Sequence, residues 1–247
     1  MSTIFEKLNM TKALDYPRQF LAAIVDILYP KRCVGCGHYG QFLCLPCAKS
    51  IEILKSYTCY KCGKISKFGK LCLACRQQVG AGIDSIIYAC DYSQPIIKKL
   101  ISAYKYAGIT ELSTVLVSLL LPRIPDATKA VVIPVPLHHT KELRRGFNQA
   151  DLLAREIAEK LEFTYSNDLV RLVNTRSQVG LSRSNREKNL EGAFKLRNVP
   201  EIKGKTVYLI DDVVTSGSTF AACARELKMA GARKVICMAI ARNLHLK

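Results

Sequence analysis

Two adjacent acids, Asp211 and Asp212, are followed by Val213 and Val214 and then by Thr215, Ser216, Gly217, Ser218 and Thr219. A carboxylate accepts hydrogen bonds from two neighbouring hydroxyls, such as the cis diol of a ribose. Small hydroxyl residues around a glycine, where a helix opens, offer free main-chain amides and a favourable dipole to a phosphate. Gly217 permits close approach, and Thr215, Ser216, Ser218 and Thr219 add hydroxyl donors. Diol acceptors a few residues from a phosphate cradle describe a ribose 5-phosphate. An acidic turn with a Ser or Thr helix cap is the plainer reading, and it leaves the coincidence of acids, glycine and hydroxyls unexplained.

A second set of chemical residues lies upstream. Eight of the eleven cysteines form four CxxC pairs, Cys33/Cys36, Cys44/Cys47, Cys59/Cys62 and Cys72/Cys75. A two-residue spacer sets both sulfurs on one side of a tight turn, and two such turns close a four-sulfur zinc site. Sequential pairing, giving two sites of four cysteines each, uses the least chain; spacing alone leaves a crossed arrangement open. A module of about 45 residues is too small to hold itself by its own core, and a structural zinc supplies on the order of 10 kcal/mol. Cys90, Cys223 and Cys237 stand alone in apolar surroundings and read as buried thiols.

The elements that position these groups follow from patterning. Ala130 to Val135, Leu169 to Val173, Val207 to Ile210 and Lys234 to Ala241 read as strands, and Ile83 to Tyr92 as a strand pair or hairpin. Ile96 to Tyr106, Glu111 to Leu121, Gln149 to Leu161 and Ala221 to Ala230 carry helical spacing. Alternation of strand and helix predicts an α/β fold, a doubly wound and mostly parallel sheet with ligands at the carboxyl ends of its strands. The acids then stand at such an end, and consecutive acids on a strand point in opposite directions. Three segments are expected: an amphipathic helix in 1–30, a double zinc ribbon in 31–80, and the α/β domain in 81–247.

The formal net charge of the 247 residues is +17. Eight thiolates with two Zn2+ lower that balance to about +13, still basic enough to suit polyanionic partners or a lysine-rich solvated surface. No run reaches the roughly 18–20 apolar residues of a membrane span. Phe20 to Leu28 resembles a short signal core, but Asp26 interrupts it and no small-residue cleavage site follows. A cytoplasmic protein is expected. Lys61, Lys64, Lys67, Lys70 and Arg76, interleaved with Tyr57, Tyr60 and Phe68, form an acid-free run. Lysines with stacking aromatics hold single strands without reading sequence; aromatics packed beneath a basic ribbon are the other reading.

The stretch LIDDVVTSGST resembles the phosphoribosyl pyrophosphate (PRPP) motif of type I phosphoribosyltransferases. With the CxxC knuckles, IPVPL at 133 to 137, RRGFNQA at 144 to 150 and RSNREKNLEGAF at 183 to 194, the chain resembles the ComF family of competence proteins. The resemblance implies PRPP bound with Mg2+, and a base nitrogen or ammonia displacing pyrophosphate at the ribose C1. It assigns the ribose to Asp211 and Asp212, the 5-phosphate to Thr215 through Thr219 with Val213 and Val214 in the same motif, and pyrophosphate to Pro134, Val135, Pro136 and Leu137. It also implies natural transformation, with single-stranded DNA and a helicase-like partner.

Charge developing on pyrophosphate requires cations. Arg145 is the first candidate, Arg144 the second and Lys105 a further one. Arg176, Arg183, Arg186 and Lys188 lie in a polar stretch long enough for a lid. Two prolines in the 134–137 loop fix its backbone and leave room for an unusual peptide geometry. His138 and His139 are proton-transfer candidates or ordinary loop residues. Two functions remain: a Mg2+-dependent transferase, with catalysis on Asp211, Asp212 and Arg145, or a PRPP-sensing adaptor on single-stranded DNA.

Overall fold

Val131, Val132 and Ile133 have no exposed surface at all, as an apolar run must when helices cover both faces of a parallel sheet. The computed structural model describes residues 30–79, 82–125, 130–173, 190, 192–197 and 202–243. The expected amphipathic helix and the stretch holding Arg176, Arg183, Arg186 and Lys188 lie outside the described residues. One compact unit ends at Lys49 and a second runs from Ser50.

In the first unit, Lys31 to Lys49 forms the first cysteine knuckle and a short helix, α1 (Leu45–Lys49). In the second, Ser50 to Arg76 forms the second knuckle with α2 (Leu73–Val79). There follow β1 (Ser85–Asp91), α3 (Pro95–Tyr106), α4 (Leu112–Leu120), β2 (Ala130–Pro134), α5 (His139–Arg145) and α6 (Gln149–Lys160). After these come β3 (Thr164–Tyr165), β4 (Leu169–Arg171), β5 (Phe194–Leu196), β6 (Thr206–Val214), α7 (Ser218–Met229) and β7 (Lys234–Arg242). Five strands make one parallel sheet in the order β1-β7-β6-β2-β3, and β4 pairs antiparallel with β5. Helices α4 and α6 pack on one face, while α7 packs on β7 and the small sheet. Phe220, Cys223, Ala224 and Leu227 of α7 join Ile86, Val207, Leu209 and Val235 in a core that also takes in Cys59, Tyr60 and Cys75. The doubly wound expectation holds.

Three differences have physical causes. The segment expected as a hairpin, Ile83 to Tyr92, is one strand, β1, at the sheet edge. Its second neighbour comes from the ribbon: Leu54 N–H donates to Ala89 O at 2.9 Å, and Ile53 and Lys70 bridge to Cys90 and Ser85. That backbone covers an otherwise bare edge. Strand β6 runs through both acids to Val214, because β7 pairs with it as far as Val214↔Arg242. The strand at 169 belongs to the separate small sheet.

The ribbon's seat is fixed by a buried cation. Arg123, 5% exposed, donates to Leu54 O and, at 2.9 Å, to Ser56 O, and lies 4.1 Å over the Tyr57 ring. Burial lowers its pKa.

Candidate functional site

The sulfurs of Cys33, Cys36, Cys44 and Cys47 lie within 4.8 Å of one another, as do those of Cys59, Cys62, Cys72 and Cys75. The pairing is therefore sequential. Tetrahedral zinc with Zn–S of about 2.3 Å sets its sulfurs about 3.8 Å apart; Cys36–Cys44, Cys62–Cys72 and Cys59–Cys72 stand at 3.6, 3.7 and 3.9 Å. Each cluster has one thiol inclined to ionise. Burial works against it, but backbone N–H groups of neighbouring residues outweigh burial and bring Cys33 and Cys59 down to about 6. Sharing with Cys44 and Cys72 respectively pushes Cys47 and Cys75 up to about 12. Four sulfurs that resist joint ionisation at tetrahedral spacing suit a divalent cation. Cys90, Cys223 and Cys237 are buried free thiols, their pKa values raised by burial.

At the junction of β6 and α7, strand alternation sends the two acids apart. Asp212, with a side chain 9% exposed, meets Lys105 Nζ of α3 at 2.7 Å. Burial works to lower the Lys105 pKa, and Asp212 outweighs it, so the lysine stays charged. Asp211 is half-buried; its Oδ1 accepts the Asp212 N–H at 2.8 Å. Burial, then the charge of Asp212, pushes Asp211 up to about 7, against the pull of Lys105 and Arg145. One charged cluster thus joins Asp211, Asp212, Lys105 and Arg145.

Beyond the acids the chain turns through Gly217 at φ +75°, a left-handed conformation that suits glycine. Intrahelical bonding in α7 begins when Ala221 N–H reaches Gly217 O at 2.9 Å, so the first amides of the helix have no partner within it, and Ser218 N–H donates to Ser216 Oγ at 3.4 Å. Ser216 Oγ pairs with Ser218 Oγ at 2.9 Å and Thr215 is exposed. Val214 is buried in the core, so only its backbone is placed to serve a ligand.

A polar network links this junction to the 134–137 loop. Arg145 closes α5, and Gly146, at φ +83°, reverses the chain. Asn148 caps α6 and donates to Val135 O at 3.1 Å. Arg145 donates to Gln149 Oε1 at 3.0 Å and lies 5.3 Å over the Tyr106 ring. Gln149 is 2% exposed, and Tyr104 donates to its carbonyl at 2.8 Å. Among the described residues, Arg145 Nε and Gln149 Nε2 are buried polar atoms without a partner. Pro134, Pro136 and Leu137 line a cavity of about 420 Å3 together with Arg155, Arg171 and Arg197. All described peptide bonds are trans, so the two prolines impose no unusual geometry. His138 caps α5 by accepting Thr140 N–H at 3.2 Å, and His139 is exposed at the cavity.

Sequence reasoning missed Asn148 and Gln149, although an Asn before a helical run signals a cap. Of the two readings of the aromatics, packing beneath the ribbon is the one that fits Tyr60, which is 5% exposed, and Arg123 covers Tyr57. Phe68 stays 38% exposed, with Lys67 5.8 Å from its ring. Lys64, Lys67 and Lys70 are exposed and Lys61 partly so, whereas Arg76 pairs with Asp84 at 3.3 Å. Among the described residues no helix is long and apolar enough to cross a membrane.

The phosphoribosyl transferase domain family matches residues 143–247, and the double zinc ribbon domain family matches 24–79. Competence protein F of Haemophilus influenzae is 32% identical over 227 residues, covering 83% of this chain and 99% of its own. DNA utilization protein YhgH of Escherichia coli K12 is 31% identical, covering 84% of this chain and 92% of its own. Among solved structures, glutamine PRPP amidotransferase of B. subtilis aligns with 56% of this chain and 30% of its own, at 17% identity and a TM-score of 0.38. The residues legible in the sequence and the near-full-length relatives agree: the chain belongs to the competence protein F family, with a phosphoribosyltransferase-type domain and a double zinc ribbon.

Proposed function

We propose that the chain binds PRPP with Mg2+ at the β6–α7 junction and transfers the phosphoribosyl group in the cytoplasm during DNA uptake. The observation that carries this reading is the junction itself: an acid pair at a strand end, then a left-handed glycine at the opening of a helix whose first amides have no partner within it. Asp211, free of any ion pair with Lys105, accepts the ribose diol, while Asp212 anchors the cluster from the opposite face. The 5-phosphate rests on Thr215 to Thr219. Lys105 and Arg145 face the charge that develops as pyrophosphate leaves, and the unpartnered Arg145 Nε and Gln149 Nε2 are donors held ready near it. Pro134 to Leu137 border the pyrophosphate side. Mg2+, when bound, supplies charge neutralisation on pyrophosphate, and Asp211 is the carboxylate available to share it.

The exposed Lys64, Lys67 and Lys70, with the partly exposed Lys61, suit the phosphates of single-stranded DNA. Arg76 contributes less because Asp84 holds it. A helicase-like partner fits the biology that the relatives' names suggest.

The test is calorimetric titration of PRPP with and without Mg2+ and single-stranded DNA, alongside pyrophosphate release with bases and ammonia. Saturable Mg2+-dependent binding, lost when Asp211 and Asp212 are both changed to Ala, supports the reading; unchanged affinity in that variant refutes the site. Binding without release for any acceptor would identify a PRPP-sensing adaptor instead. Changing Lys61, Lys64 and Lys67 to Ala should weaken DNA binding equally across sequences and flatten its salt dependence.

A further inference from the structure

Tyr60 is the second residue of the Cys59–Cys62 turn, where the first knuckle has Val34. The two knuckles share their backbone pattern. Cys33 N–H donates to His38 O and Gly37 N–H to Cys33 O, each at 2.8 Å; Cys59 N–H donates to Lys64 O at 2.7 Å and Gly63 N–H to Cys59 O at 2.9 Å. A cysteine turn of this shape therefore needs no aromatic at that place.

The side chain of Tyr60 works elsewhere. Its hydroxyl donates to the carbonyl of Thr215 at 3.1 Å. Its ring lies against Gly217 so closely that a Cβ there would stand 2.7 Å from the hydroxyl and 2.9 Å from Cζ. The Arg242 guanidinium, at the end of β7, sits 4.6 Å from the centre of the same ring and donates to the Tyr88 hydroxyl at 3.0 Å. Thr58 Oγ1 meets that hydroxyl at 2.8 Å. Tyr60 is thus gripped by the sulfur turn and by Arg242, and it touches the loop at two residues.

We propose that Tyr60 is a positioning residue that ties the second cysteine cluster to the Thr215–Thr219 loop and sets that loop to receive a phosphate. The inference rests on the ribose 5-phosphate reading above and assigns its control to the ribbon. A carbonyl turned toward a phosphate repels it. In a trans peptide the carbonyl and the following N–H point in opposite directions. Holding Thr215 O on Tyr60 therefore aims the Ser216 N–H away from the ring, as an anion site needs. The ring backs Gly217 and keeps the left-handed turn from relaxing.

The experiment measures Mg2+–PRPP affinity by calorimetry in full-length wild type, Tyr60→Phe, Tyr60→Leu and Tyr57→Phe, with zinc content and unfolding recorded for each. Tyr57 is the control, because its hydroxyl donates to Arg123 O at 2.9 Å, away from the loop. In parallel, 3-fluorotyrosine at position 60 reports by fluorine NMR during the titration. Tyr60→Phe keeps the ring and should bind about fivefold more weakly, the usual net worth of one neutral hydrogen bond. Tyr60→Leu should lose at least about tenfold, since the ring contact goes as well. Tyr57→Phe should match wild type, and the fluorine resonance should move saturably with PRPP. Equal affinity in wild type and both Tyr60 variants, with a silent fluorine, overturns the inference while leaving the binding site standing. If Tyr60→Leu loses zinc, Tyr60→Phe decides on the same criterion. A wild type that binds no PRPP overturns the ribose phosphate reading itself.

Discussion

Replacing Lys105 by Met would keep most of the side-chain volume and remove the charge facing Asp212. The pair is 2.7 Å long, with side chains 20% and 9% exposed. Breaking a fully buried ion pair costs about 3–5 kcal/mol, chiefly by stranding the remaining charge. Solvent reaches the lysine, so about 2–3 kcal/mol is expected here. That is a large part of the roughly 5–15 kcal/mol that holds most domains. Urea denaturation at pH 7.5 should show the midpoint falling with the slope unchanged, the mark of lost stability without a change in surface exposed. Lys105→Met combined with Asp212→Leu should recover most of the loss, because apolar replacement of a whole buried pair is often neutral. A Lys105→Met chain that unfolds at the wild-type urea concentration at pH 7.5 would refute the reasoning.

Other outcomes follow from the same site. Burial and Asp212 raise Asp211 from 3.8 to about 7, so between those values the folded chain holds a proton that the unfolded chain releases. Its contribution to stability is complete below pH 3.8 and is lost as pH rises through about 7; Asp211→Asn should flatten that part of the stability profile, and an unaltered profile contradicts the burial argument. PRPP binding, which needs the carboxylate, should strengthen as pH rises through about 7, and a pH-independent affinity would count against Asp211 as the diol acceptor. Gly217→Ala should weaken PRPP binding at least about tenfold, since φ +75° strains alanine and its Cβ would meet Tyr60; wild-type affinity would mean the turn is not used. Metal analysis should find two zinc ions per chain and one in Cys72→Ser, and a wild-type count of one would mean that a cluster stays empty.

What the sequence made legible was whatever is local. The four CxxC turns, the acid pair and the glycine turn into α7 are each set by residues within a few positions, and their spacing alone announces them. Three features were not legible because their partners lie far away in the chain. Nothing local tells that Lys105 meets Asp212, that Arg123 donates to Leu54 O and Ser56 O, or that Tyr60, open to stacking on bases or to packing beneath the ribbon, reaches Thr215 O. Length misled at β1, where ten apolar-leaning residues suggested a strand pair or hairpin; the ribbon supplies the partner expected from a second strand. Strands β3 and β5, two and three residues long, are too short for periodicity to register. The acids inside β6 run against strand propensity, and pairing with β7 overrides it.

The ribbon backbone laid along β1 has a consequence for the chain in zinc-poor conditions. Leu54, Ile53 and Lys70 engage a strand that otherwise ends the sheet. Stripping the second cluster of its metal loosens that cover and uncovers a row of unsatisfied amides and carbonyls beside Ile86, Ile87 and Tyr88. Such a row recruits strands from neighbouring molecules. Metal starvation should therefore be felt first as clumping of the chain, before its helices melt.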